Sequence, residues 1–199
     1  MKLENVLNEN IIIGMKKSLN NADSLLSEAF LLQSDKKFAR AYTLSQIAIE
    51  ELAKIQMLFE LWVDRINGNT IDYTQLNNNF KDHPTKTKIS IETEIAFFKL
   101  MKEQTGYEWI DKLISNRDEL LTKVKELNNL KNESLYVSIK NDGFQSPEEI
   151  IDEEKYKSIS ASAFMRQQFL KNMIRVCEEH IEEIAKLIKE DDKVINKSS

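Results

Sequence analysis

Apolar residues recur along the chain at steps of three and four, the spacing that lines side chains along one face of an α-helix. Between 15 and 33 they fall at Met15, Leu19, Ala22, Leu26 and Ala29, and Ser34-Asp35 then offers a break and a fresh helix start. A second helix is predicted from about 37 to 65. Phe38, Ala41, Ser45, Ala48, Leu52, Ile55, Phe59 and Trp62 line one face, and Leu44, Ile47, Leu58 and Leu61 add a second line. A helix that is apolar over most of its girth belongs at the centre of a bundle. Asn67-Gly68-Asn69 is its stop signal.

Residues 70–88 are less regular: Asn77-Asn78-Asn79 resists a helix, and Pro84 fixes a turn or a helix start. A third helix is predicted over about 85–102, with Ile91, Ile95, Phe98 and Met101 inward. Gly106 separates it from a fourth, about 109–130, whose stripe is Ile110, Leu113, Leu120, Val124 and Leu127. Leu135 to Ile139 reads as extended, and Asn141-Asp142-Gly143 as a turn. Ser146-Pro147-Glu148-Glu149 is a helix start, since serine caps, proline fits the first position and acids meet the positive helix end. The last helix then runs to about 190 along Tyr156, Ile159, Ala163, Leu170, Met173, Cys177, Ile184 and Leu187, and 191–199 reads as a frayed tail. The pattern predicts an all-α bundle of about five long helices, with a short irregular or extended segment near 131–146 and a single domain over 1–190.

Composition agrees with few, long elements: the 199 residues include 4 glycines and 2 prolines, the residues that punctuate chains. The single cysteine, Cys177, cannot pair within the chain, which suits a reducing compartment. No signal-peptide pattern and no apolar run of membrane-spanning length is present, so a cytoplasmic protein without membrane contact is expected. The net charge of −5 argues against a generic nucleic-acid binder: no DNA contact is expected, and any RNA contact has to come from a local patch.

A few polar residues break the stripes. Glu50 and Lys54 share a face of the most apolar helix, and Glu51 falls on its second apolar line, between Ile47 and Leu58. A buried carboxylate is costly unless paired, so these residues mark either an internal Glu–Lys pair that fixes register or a site. His83 lies among Lys81, Lys86 and Lys88 where the third helix begins, which suits either an anion site or a solvated basic loop. His180, near the Cys177–Ile184 stripe, reads as a partly buried structural histidine, and Arg117 as a stem snorkelling from an apolar face. Neither histidine has a glutamate three residues before it, since Phe80 and Cys177 occupy those places, so a di-iron carboxylate bundle is not expected. With no P-loop, no glycine-rich dinucleotide turn and no cysteine pair for zinc, neither a metal nor a cofactor is expected.

Three segments together resemble the AbiV family of bacterial abortive-infection (phage-resistance) proteins: Ala39-Arg40-Ala41-Tyr42 through Glu50-Glu51-Leu52-Ala53-Lys54, Phe80-Lys81-Asp82-His83-Pro84-Thr85-Lys86, and Leu130-Lys131-Asn132-Glu133-Ser134-Leu135-Tyr136-Val137 followed by Ser146-Pro147-Glu148. The resemblance implies a bundle of the HEPN superfamily, usually a homodimer. It implies an effector that is quiet until it meets a phage-encoded protein, as activator or target, and then halts growth or translation. Many HEPN toxins are metal-independent ribonucleases whose motif is an Arg, a polar residue, a short gap and a His. Here Lys131 stands in the place of the Arg, followed by Asn132, and Tyr136 stands in the place of the His. A histidine titrates near neutrality and can take a 2′-hydroxyl proton, whereas tyrosine, ordinarily near pKa 10, is a poor base. Lysine holds a phosphate without the fork of arginine. Binding of a protein, or of the translation machinery, is therefore the leading expectation, with a ribonuclease and a plain interaction bundle as alternatives. The catalytic candidates are His83, Lys131 and Tyr136. Arg40, Glu50, Glu51, Lys54, Lys86 and Asn132 are candidates for a binding or structural polar cluster.

Overall fold

Long helices form where the apolar stripes place them. The structure is a computed structural model that describes residues 2–140 and 143–187. Asn141 and Asp142 of the expected turn, the expected helix end at 188–190 and the tail at 191–199 lie outside the described residues. After a short turn of 3-10 helix at Leu3–Asn5 come α1 (Glu9–Ser34), α2 (Phe38–Asn67), α3 (Tyr73–Asn79), α4 (His83–Thr105), α5 (Trp109–Thr122) and α6 (Val124–Glu133). A hairpin follows, β1 (Ser138–Lys140) antiparallel to β2 (Gly143–Gln145), and then α7 (Pro147–Ile150) and α8 (Glu153–Glu179). Residues 181–187 are again helical. No described helix is long and apolar enough to cross a membrane.

The helix ends are set by local chemistry. Both α1 and α2 stop with a residue in the left-handed region, Lys36 (φ 58) and Gly68 (φ 72). Lys37 N–H donates back to the Leu32 carbonyl and Asn69 N–H to that of Asp64, which satisfies orphan carbonyls of the last turn. Asp82 caps α4 by accepting from Thr85 N–H, and Asp152 caps α8 by accepting from Lys155 N–H.

Asn77-Asn78-Asn79, expected to resist a helix, form the last turn of α3, and several boundaries differ from the sequence reading. Ile11, fully buried, carries the first stripe one turn further back, so α1 begins at Glu9. The expected fourth helix is broken at Lys123 (φ −107, ψ 13) into α5, which packs on α4, and α6, which packs on both α4 and α2. Ser146-Pro147 does start a helix, with a full capping box, but α7 is one turn long. Ile151 goes extended, and Ile150 and Ile151 bury against Ala39 and Tyr42 before Asp152 starts α8. The expected extended segment turns at 134–136 and becomes strand only from Ser138.

The main core joins α1, α2 and α8: Ile11, Met15, Leu19 and Ala22 meet Ala48, Leu52, Ile55, Leu58, Leu61 and Trp62 of α2 and Leu170 and Ile174 of α8. Burying a leucine or isoleucine side chain contributes about 1.5–3 kcal/mol, so this contact holds α2 at the centre. With one side of α2 fixed there, its opposite side faces α4 and α6.

Candidate functional site

On that side, α2 carries a buried polar line. Thr43, Gln46 and Glu50 follow one another at steps of three and four and are 4%, 1% and 2% exposed. Each is met by a partner from another element. Thr43 Oγ1 lies 2.6 Å from Ser134 Oγ, and Ser134 Oγ donates to the Lys131 carbonyl at 2.6 Å. Gln46 Nε2 donates to Thr87 Oγ1 at 3.1 Å. These contacts fix the end of α6 and the start of α4 against α2.

Glu50 is the centre of the arrangement. Lys131, in the last turn of α6, donates from Nζ to Glu50 Oε1 at 2.7 Å. His83, the first residue of α4, donates from Nδ1 to Oε2 at 2.5 Å, and Lys86 Nζ, one turn on, lies 3.3 Å from the same oxygen. Burial pushes the Glu50 pKa up, but the Lys131 and His83 hydrogen bonds and the Lys131 and Lys86 charges outweigh it. Its pKa therefore lies below the usual glutamate value, and Glu50 is an anion at neutral pH. The lysine side chains are 6% and 9% exposed, whereas that of His83 is 57% exposed. The cluster thus opens to solvent on the His83 side. Asp82 stands beside this opening, its carboxyl held below the usual value first by the hydrogen bonds from the Thr85 hydroxyl and backbone.

Of the residues singled out in the sequence, Glu50, His83, Lys86 and Lys131 come together. The others do not. Tyr136 is 65% exposed, and Asn132 and Arg40 are exposed. Glu51 and Lys54 pair with each other at 2.5 Å on a different side of α2, so Lys54 serves Glu51 and not Glu50. Residues 50 and 51 point about 100° apart on a helix, which separates the two pairs. The third helix, expected from about 85, begins two residues earlier, so that His83 is its first residue. His180 is exposed and lies 3.1 Å from Glu183, so it is not a core histidine, because the helix breaks at that residue. Leu187, at the end of the last stripe, is 61% exposed, although Ile184 one turn earlier still packs against the main core.

A second buried cluster, absent from the sequence-based candidates, joins α4, α5 and α8. Glu94 of α4, 3% exposed, accepts from Arg117 Nε of α5 at 2.6 Å and from Arg166 Nη2 of α8 at 2.7 Å, both on Oε2. Ser162 Oγ donates to its Oε1 at 3.1 Å. Arg117 is therefore an ion-pair partner, not a snorkelling stem. The signal existed: Glu94 falls between Ile91 and Phe98 on the α4 stripe, and Arg166 between Ala163 and Leu170 on that of α8. Gln46 and Thr43 were legible in the same way, one and two turns before Glu50.

The two clusters differ chemically. The Glu50 cluster holds a half-exposed imidazole braced by an anion, which suits proton transfer or recognition of a partner. The lysines around it are buried and already bonded, so they present little to a phosphate outside. Among the described residues, no three His, Cys, Asp or Glu side chains gather in a way that could hold a metal ion.

No curated protein and no solved structure matches the chain significantly. A family model described as AbiV, of the HEPN type, matches residues 10–168, a span that contains α2, α4, α6 and both clusters. The chain belongs to the AbiV family of the HEPN superfamily, a family with a role in abortive infection and phage defence.

Proposed function

We propose that this protein acts in abortive infection by binding another protein, with the β1–β2 hairpin as its contact surface. The observation that carries this reading is the apolar exterior of that hairpin. Ile139 and Phe144 face each other across the register and are 75% and 77% exposed, and Tyr136 and Val137, just before the hairpin, are 65% and 62% exposed. Exposed apolar residues gathered along one short segment are the kind of surface that interaction sites use. The hairpin follows α6 directly, so Lys131 and Ser134 anchor its base to α2. A phage-encoded protein, as trigger or target, is the partner this role calls for, with the translation machinery as the downstream target. A homodimer would use the same kind of apolar surface, and light scattering at twice the 23.2 kDa chain mass would support it.

A ribonuclease is the second reading, favoured by one contact. His83 Nδ1 is held on buried Glu50, which leaves the other ring nitrogen free to exchange a proton with a substrate. The test is purified protein, with and without infected-cell extract, incubated separately with total RNA and with a translation extract. Blocked translation over intact RNA is the expected result. RNA cleavage that disappears in His83→Ala would overturn the binding reading in favour of the enzyme.

A further inference from the structure

A cavity of about 220 Å³ lies between α2, α4, α5, α6 and α8. Arg117, Arg166, Lys155, Ser158, Ser162 and Tyr42 supply much of its polar lining, and most of the remaining wall is isoleucine and leucine. Burial pushes the Tyr42 phenol up to about 12, so it stays a neutral hydroxyl at physiological pH. None of Glu50, His83, Lys86 or Lys131 lines this space.

The charge around the cavity is unbalanced. Two guanidiniums share one oxygen of Glu94, which leaves one positive charge over. Lys155, paired with Asp152 at 3.4 Å, donates to the Ile150 carbonyl at the cavity's edge. Arg166 is 7% exposed, and its Nε is buried with no hydrogen-bond partner, although a guanidinium has five N–H groups to place. Buried cationic donors without partners are costly. An incoming anion would balance the surplus guanidinium charge, and planar guanidinium forks match carboxylate and phosphate oxygens.

We propose that this cavity binds a small organic oxyanion, a carboxylate or phosphate group carried on an apolar body. The charged head meets Arg117, Arg166 and Lys155, and the apolar body lies against the aliphatic wall. The volume falls below the roughly 300–1,000 Å³ of drug-sized pockets, which limits the ligand to about one ring. Gln46 and Thr87 line the cavity and bond to each other, and each stands beside the Glu50 cluster, one turn before Glu50 and next to Lys86. The proposal stands apart from the protein-binding reading and does not depend on it.

The test is calorimetric titration of the full chain with phenyl phosphate and with benzoate, with benzyl alcohol as the uncharged control. At least one of the two anions should bind saturably and raise Tm in a concentration-dependent way, and which one does so identifies the head group. Arg117→Gln should weaken binding at least tenfold. Ser158→Phe, at an exposed position of α8 that lines the cavity, should abolish it while leaving the ligand-free Tm near wild type. His83→Ala should bind as wild type does. If neither anion binds, if benzyl alcohol binds as well as they do, or if Ser158→Phe binds normally, the proposal is wrong. Ser158→Phe decides the matter even if Arg117→Gln disturbs folding.

Discussion

Glu50→Gln removes one negative charge from between two buried lysines and a histidine while keeping almost the same side-chain volume. No cavity forms, so the loss is electrostatic. Lys131 Nζ at 2.7 Å and Lys86 Nζ at 3.3 Å lose the carboxylate that compensates them, with their side chains 9% and 6% exposed. Removing one partner of a buried ion pair costs about 3–5 kcal/mol, because the other charge is stranded. For a chain of this size that corresponds to a fall in Tm of about 6–20 °C. Urea and thermal unfolding followed by circular dichroism measure it. The pH dependence provides a second check. The folded-state pKa of Glu50 is lowered, so the stability it contributes is present above the usual value of 4.5 and is lost as pH falls through the folded value. Wild type should lose stability in acid, and Glu50→Gln should lose less over the same range. Adding Lys86→Met and Lys131→Met to Glu50→Gln should restore much of the loss, since an apolar replacement of a buried pair is often neutral or stabilising. A Glu50→Gln variant within about 1 kcal/mol of wild type, or one with an unchanged acid profile, would refute the buried cluster.

Three further outcomes are expected. Asp82→Ala, which removes the cap of α4, should cost about 0.5–2 kcal/mol in urea unfolding and increase amide exchange at Thr85. Lys36→Gly should stabilise the protein by about 0.5–1 kcal/mol, because Lys36 holds a φ of 58° that a side chain disfavours. Burial pushes the Cys177 thiol pKa up, so a thiol reagent should modify it slowly in the native protein and rapidly in denaturant.

The helices were legible because their stripes are periodic, and periodicity is a local property. Tyr156, Ala163 and Leu170 are buried as their spacing implies. The break at Lys123 was not legible, since Val124 and Leu127 continue the stripe of Ile110 and Leu113 across it and only packing against α2 separates the two helices. The one-turn α7 was hidden for a similar reason: Ser146-Pro147 announces a helix start but says nothing of how soon Asp152 will start another. The site was legible as residue types and not as geometry. Glu50 was marked by its place among apolar neighbours, whereas its three partners lie 33, 36 and 81 positions away in sequence, as follows from their residue numbers. Glu51 and Lys54 show the converse: of the two readings the sequence allows, a register-fixing pair or a site, they form a pair with each other. Glu94 and Arg166 each interrupt a stripe, but a charge on an apolar face acquires meaning only when the opposite charge faces it from another helix.

The most direct measurement is a plaque assay on cells expressing wild type, His83→Ala and the double variant Ile139→Glu with Phe144→Glu, with each variant matched for expression and thermal stability. Binding through the hairpin requires phage restriction to be lost in the double variant and kept in His83→Ala. Restriction that survives both hairpin charges but disappears with the His83 imidazole would contradict it.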